Sequence, residues 1–445
     1  LRYSYKNGKI RNTKLIIIVA ASATAVVLLL LAFFAGYALR GALMVSSSDW
    51  VINMISKYYY QDIDTSDSED IAADALVDKY LDIYSEYYTA EEYEALLKSN
   101  GGTSSGLGIS YAYIPGSGIT IVGSTGNSPA FKAGIRPGDV IQYAEKDGGR
   151  ISFNSSASFS EFVAELADGA ETTFRLTDGR SVKVAKAEYT VSYVMLATNS
   201  SAWTFTGDDA TELTETEGDA IAYLPDGAAY ISISQFYGGA ADQFEMAAEQ
   251  FNALGCTTLI LDLRNNGGGY VSAMQGISGC FESSAGKPAM EARAKDGSSE
   301  VYRASTAPEE SVISADTEVY VLANGNTASA SEALIGVLVS YGITDYGNIY
   351  ISEYTNTYLT AMGVTADQVK SGRTYGKGIM QSTYRNSSTG EALKLTTHQI
   401  YWPDGTTIHG TGLSAESGCN VVSSPMPMNG NGLELRAVCR AVFGS

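Results

Sequence analysis

A chain of 445 residues, 45% hydrophobic and 18% charged, is long enough for two or three domains with at least one substantial core, which excludes a disordered chain. The formal charge is −20, and six of the basic residues (Arg2, Lys6, Lys9, Arg11, Lys14 and Arg40) precede the first acid, Asp49, leaving 23 basic residues against 49 acidic ones. Such a surface repels polyanions, so no nucleic acid is expected as a partner. Four cysteines (Cys256, Cys280, Cys419, Cys439) without CxxC spacing, and only two histidines, form no zinc pattern, and neither metal nor cofactor is expected.

In chain order, residues 1–14 form a basic tail, followed by an uncharged run at 15–39 bounded by Lys14 and Arg40. About 20 such residues cross a bilayer core, whereas the apolar part of a cleaved signal peptide spans roughly 7–15. Length favours an uncleaved anchor over a signal peptide. The basic flank keeps the N-terminus cytoplasmic and places the rest outside, on a single-pass membrane protein. Residues 49–100 read as a helical region, with apolar residues at helical spacing (Ile71, Leu76, Val77, Tyr80, Leu81, Ile83, Tyr84) and Thr89 as the N-cap of a further helix. Asn100–Ser105 reads as a flexible junction. Residues 101–190 alternate short strands with turns and one helix near Ser158–Leu166, which predicts a small, partly open β-rich barrel. From 191 to 445, strands and helices alternate as in an α/β core, interrupted by an insertion near 345–373 in which TADQVKS has helical composition.

Three segments of the core could carry chemistry. Leu259–Gly269 runs from an apolar strand into Arg-Asn-Asn and three glycines; this is either an ordinary strand break or an anion pocket whose amides face an oxyanion. Asn324–Leu338 runs from a strand through small residues into a helix. Ser329 there either forms a capping box with Glu332 or presents its hydroxyl at a helix N-terminus, and Thr327 or Ser331 could cap instead. In Thr374–Gln381, Lys377 lies between two glycines; it is either a solvated turn lysine or a base whose pKa desolvation lowers toward about 7–8. Gln381, four residues on, falls on the same side of a strand or a helix and could hold the amine. A histidine base would have to be His398 or His409, and neither has an acid nearby in sequence.

DLRNNGGG, TASASEAL and GKGIMQ, followed by LKLTT, YWPDG and IHGTG, together resemble the carboxyl-terminal processing peptidases, S41 serine peptidases with a Ser-Lys dyad. The resemblance implies Ser329 as nucleophile, Lys377 as base and Gln381 as its orienting partner, with an oxyanion hole drawn from the amides of Ala330, Gly268 and Gly269. Upstream, Gly106–Ser110 and Asn127–Ile141 resemble the carboxylate-binding loop and the SPA-x-x-AG-x-x-x-GD segment of PDZ domains. This implies that Gly106, Leu107, Gly108 and Ile109 capture a peptide C-terminus. With the transmembrane helix read from the apolar run, the expected fold is multidomain, α+β and α/β: that helix, a helical segment, a PDZ module and, as the resemblance implies, a ClpP/crotonase-like peptidase core. The implied partners are a peptide with a free C-terminus and the membrane, with room for a homo-oligomer. The alternative is a PDZ-bearing scaffold whose peptidase-like core is inactive. Gly267 departs from the family's usual proline, Ile83 from another, and the stretch between Ser329 and Lys377 is longer than usual.

Overall fold

The computed structural model describes residues 47–63, 73–216, 218–425 and 432–444. The expected membrane span lies outside these residues, and among them no helix is long and apolar enough to cross a membrane.

The core is an eight-stranded sheet built from β1 (Val194–Ala197), β2 (Ala202–Thr206), β3 (Glu212–Thr216), β4 (Ala228–Ile233), β5 (Thr258–Asp262), β6 (Glu318–Ala323), β7 (Ile349–Tyr354) and β8 (Asn420–Ser424). The spatial order is β3-β2-β1-β4-β5-β6-β7-β8. From β4 to β8 all pairs are parallel, while β1 to β3 add an antiparallel flank. The central strands are apolar without a break because both faces are covered. Ala229, Ile231, Leu259, Leu261, Val319 and Val321 face the larger cluster, which includes side chains of helices α1 (Ala240–Ala253), α2 (Val271–Gly279) and α3 (Ala330–Ser340). On the opposite face Tyr230, Ile260 and Leu322 meet Leu435, Val438 and Cys439 of the C-terminal helix α4 (Leu433–Phe443).

A second sheet joins Pro288–Ala294, Ser299–Arg303, Ile379–Arg385 and Ala392–Tyr401 with Glu86–Tyr88 from the N-terminal region. It docks on α3 through Trp402: a side chain at Gly336 would come within 2.3 Å of the indole. The β-rich module has the strands Ile109–Ile114, Gly118–Ser124, Val140–Lys146, Glu171–Leu176 and Ser181–Ala185, with Gly149–Ile151 as an offshoot. Its own core gathers Leu107, Ile119, Ile141, Phe159, Phe174 and Val184.

Four sequence expectations are corrected. The helical spacing through Tyr84 stops at Tyr80. Beyond it, the Asp82 carboxylate accepts from the Tyr84 and Ser85 amides, and this local turn outcompetes a further helical turn and leaves Ile83 84% exposed. The junction at Asn100–Ser105 is partly a strand, because Thr103–Gly106 pairs with Ala187–Thr190 and ties the two ends of the module together. The module's helix is Ser156–Ala164, begun by a Ser155 cap. Within the insertion, the helix is Asn356–Met362 rather than TADQVKS: Thr355 caps its start and left-handed Gly363 ends it before that segment begins. Thr89 does cap Ala90–Asn100, with Glu92 returning the bond.

Candidate active site

Parallel strands send their C-terminal ends to one edge of the sheet, and there β5 and β6 release adjacent loops. The two loops are stitched together. Thr327 Oγ1 donates to Leu263 O (2.8 Å) and Ser331 Oγ to Asn266 O (2.9 Å). The Ala328 amide donates to Asn266 O (3.0 Å). Asn324 and Asn265 exchange bonds through Asn324 Oδ1 (3.0 Å) and Asn324 Nδ2 (2.9 Å). Ser331 and Thr327 are thus occupied across the loops and do not cap α3.

Ser329 stands at the turn from β6 into α3 with φ 58° and ψ −118°. A residue with a Cβ at positive φ costs on the order of 1–3 kcal/mol and persists only where its surroundings hold it there. A strained strand-to-helix elbow of this kind lifts a nucleophile clear of the backbone. What holds it is Glu332, whose Oε2 accepts from the Ser329 amide (3.0 Å). The capping box of Ser329 and Glu332 that the sequence suggested is met from that side.

Glu332 reaches further than a cap. Its fully buried carboxylate also accepts from Thr374 Oγ1 (2.6 Å) and from the amides of Gly376 (2.8 Å) and Lys377 (2.9 Å). Burial pushes its pKa up against the pull of those hydrogen bonds. One carboxylate therefore fixes the backbone of Ser329 and that of Lys377 across the long insertion. The Lys377 ammonium lies 4.5 Å from the centre of the Tyr84 ring. Its pKa is pushed down to about 8, first by burial and then by the Lys394 charge, with Asp82 and Glu332 pulling the other way. No hydrogen bond joins Lys377 Nζ to Ser329 Oγ, yet both residues line one cavity of about 370 Å³ together with Gln381, Gly269, Ala330 and Lys394. Gln381 Nε2 donates to Thr396 Oγ1 (3.0 Å), so its carbonyl oxygen is the atom left to accept from an ammonium.

Of the three expected oxyanion amides, that of Gly268 is already committed, donating to Asn266 Oδ1 (2.9 Å). The amides of Gly269 and of Ala330, first in α3, find no acceptor among the described residues. Gly268 has φ 97°, and a side chain there would come within 2.8 Å of Ala330 N. Its absence is what lets the two loops approach.

Around these polar groups the cavity is apolar: Met274, Met290, Ala333, Ile400, Trp402 and Ile408 all line it. A larger cavity of about 1060 Å³ shares Tyr84, Gly267 and Lys377 with it and extends past Tyr230 and Gln235 to Arg136 and Ser110 of the β-rich module. Neither histidine lines either cavity. His398 bonds Thr397 Oγ1 through Nδ1 (2.8 Å) on the strand Ala392–Tyr401, and His409 is exposed. The residues Gly106–Ile109 lie at the start of the module, where Leu107 O accepts from Ala130 N (3.0 Å) and Gly108 O from Thr125 N (2.8 Å). No disulfide joins any two of the four cysteines, all of which lie among the described residues.

Sequence reasoning missed Tyr84, Lys394 and the reach of Glu332. The hydroxyl of Tyr84 donates to that of Tyr375 (2.9 Å), two residues from the lysine, but nothing in the order of residues links positions 291 apart.

Residues 227–346 match the profile of peptidase family S41. The core carries an S41 peptidase domain. The wider chain is similar to a probable CtpA-like serine protease of Staphylococcus aureus (strain COL), at 24% identity over 369 residues, covering 82% of this chain and 63% of that protein. It is also similar to the chloroplastic C-terminal processing peptidase of Tetradesmus obliquus, at 26% identity over 376 residues, covering 82% and 69%. This chain thus spans less than two thirds of the length of the staphylococcal relative. The mixed α/β fold of the S41 core and its flanking regions is similar to that of a putative S41 protease from Bacteroides fragilis, with a TM-score of 0.56 at 15% identity over 90% of this chain and 98% of that one.

Proposed function

We propose that this chain is a serine endopeptidase that uses Ser329 as nucleophile and Lys377 as general base. The observation that carries the reading is a strained serine sharing a cavity with a lysine whose pKa burial lowers to about 8. At neutral pH roughly a tenth of such an amine is uncharged, against about one part in 3,000 for an ordinary lysine. In the uncharged form it can accept the serine proton, with Gln381 Oε1 holding the amine toward the hydroxyl. Ser329 then adds to the scissile carbonyl, and the amides of Gly269 and Ala330 take up the developing negative charge. Lys377 returns the proton to the leaving amine, and water frees the acyl group by the same steps in reverse. The apolar wall supports an uncharged side chain beside the scissile bond.

Capture of a substrate C-terminus by the β-rich module, acting as a PDZ domain, is the second part of the reading. Its support is the strand Ile109–Ile114, an edge of the module sheet that pairs with another strand on one side only, and the larger cavity that leads from Ser110 to Lys377. Anchoring by the apolar run at 15–39, with the S41 domain outside the cytoplasm, completes it; protease shaving of intact cells that left the domain untouched would refute that placement. The central test compares one peptide with a free and an amidated C-terminus, using wild type, Ser329→Ala and Lys377→Ala. The expectation is faster cleavage of the free form by wild type and none by either variant. Retained cleavage by Lys377→Ala would refute the dyad.

A further inference from the structure

The C-terminal helix α4 lies beyond the segment that matches the S41 family, and it carries a charge into the back of the catalytic edge. Arg264 is fully buried between the end of β5 and the loop Asn265–Gly269. Its Nε and Nη2 fork onto Asp262 (2.9 and 2.6 Å), which also accepts from the Tyr230 hydroxyl (2.5 Å). Arg264 Nη1 lies 3.2 Å from Glu434 Oε2. Glu434 is 2% exposed and sits in the first turn of α4. Its other oxygen accepts from Ser352 on β7 and Ser424 on β8.

A guanidinium cannot shed its proton, so burying it requires anionic or hydrogen-bonding partners on every face. Two carboxylates supply them. Asp262 holds Arg264 to its own strand, and Glu434 holds it to α4. Two residues downstream, Asn266 fixes the Gly268 amide with its side chain, and Gly269 follows. Arg264, which the clamp holds, therefore directly precedes the loop Asn265–Gly269 in the chain. We propose that Glu434 is a positioning residue for the oxyanion loop, so that its ion pair with Arg264, rather than the apolar packing of α4, sets the orientation of the Gly269 amide. The inference rests on the peptidase reading for its kinetic consequence but not for its structural one.

The test uses the full chain and two variants. Glu434→Gln keeps shape and removes charge; Val438→Ala loosens the same buried face of α4 without touching the ion pair. Hydrogen exchange of the segment 259–270 is measured by mass spectrometry, together with kcat and KM on a fluorogenic peptide ending in apolar residues. Faster exchange of 259–270 is expected in Glu434→Gln only. A kcat loss of about 10- to 100-fold at nearly constant KM should accompany it, since displacement of a catalytic group by about 1 Å costs on that order. Equal exchange in the two variants, or a kcat change that merely follows the melting temperature in both, would overturn the proposal. Wild type without turnover would instead count against the peptidase reading, leaving the exchange comparison to decide this one.

Discussion

The Lys377 amine is held out of water in a position where its charge is unwelcome, and this has a thermodynamic signature separate from activity. Its pKa falls from 10.5 to about 8 on folding. A lowered lysine pKa means that the unfolded chain binds more protons than the native one between about pH 8 and 10.5. Stability therefore rises with pH through that window, and the full cost is felt below it. A shift of about 2.5 units corresponds to about 3 kcal/mol at pH 7, shrinking to about 1 kcal/mol at pH 10. Replacing Lys377 by Met keeps the stem and removes the charge, so the variant escapes that cost. It also loses the contact with Tyr84, worth about 0.5–2 kcal/mol. The net expectation at pH 7 is a variant about 1–2 kcal/mol more stable than wild type and without peptidase activity. By pH 10 the gap should narrow by about 2 kcal/mol and reverse or vanish. Denaturant unfolding of both proteins at pH 7, 8.5 and 10 measures the gap directly. A variant less stable than wild type at pH 7, with a gap independent of pH, would show that the amine is solvated, and the argument for a lysine base would fail with it.

Lys394 depresses the Lys377 pKa and lines the same cavity, so in Lys394→Met the acid limb of the kcat/KM profile should move above its wild-type midpoint near pH 8; an unmoved limb would remove Lys394 from the electrostatics. Gly268→Ala places a methyl group against Ala330 N at a backbone angle that disfavours side chains; kcat should fall about 100-fold or more, as for loss of one oxyanion donor. Glu332→Ala strands four donors, and we expect a loss of about 3 kcal/mol or more in unfolding experiments together with kcat. If activity survived that loss, Glu332 would not be what aligns Ser329 with Lys377.

The order of residues announced much of this molecule. Strands with both faces buried must be apolar throughout, and Leu259–Leu261 and Val319–Leu322 are. Helices with one buried stripe must repeat their apolar residues, and Ala240–Ala253 does. The segments around Gly268, Ser329 and Lys377 stood out because each packs small residues where backbone must come close to something. Two of the four errors share a cause as well: in Leu81–Ser85 and in the insertion, one carboxylate or one left-handed glycine overrode a run of helical composition.

Local sequence thus determined the strands and helices and the residue types of the candidate site, since both follow from periodicity and from what a glycine or a lysine can do. Which lysine lost its water, which carboxylate joined Ser329 to residues 45 to 48 positions away, and what the last helix touches were decided only when β5, β6 and the second sheet came together. A pKa depends on the solvent and charges around a group, and a hydrogen bond on a few tenths of an ångström. Neither is a property of residues taken one at a time.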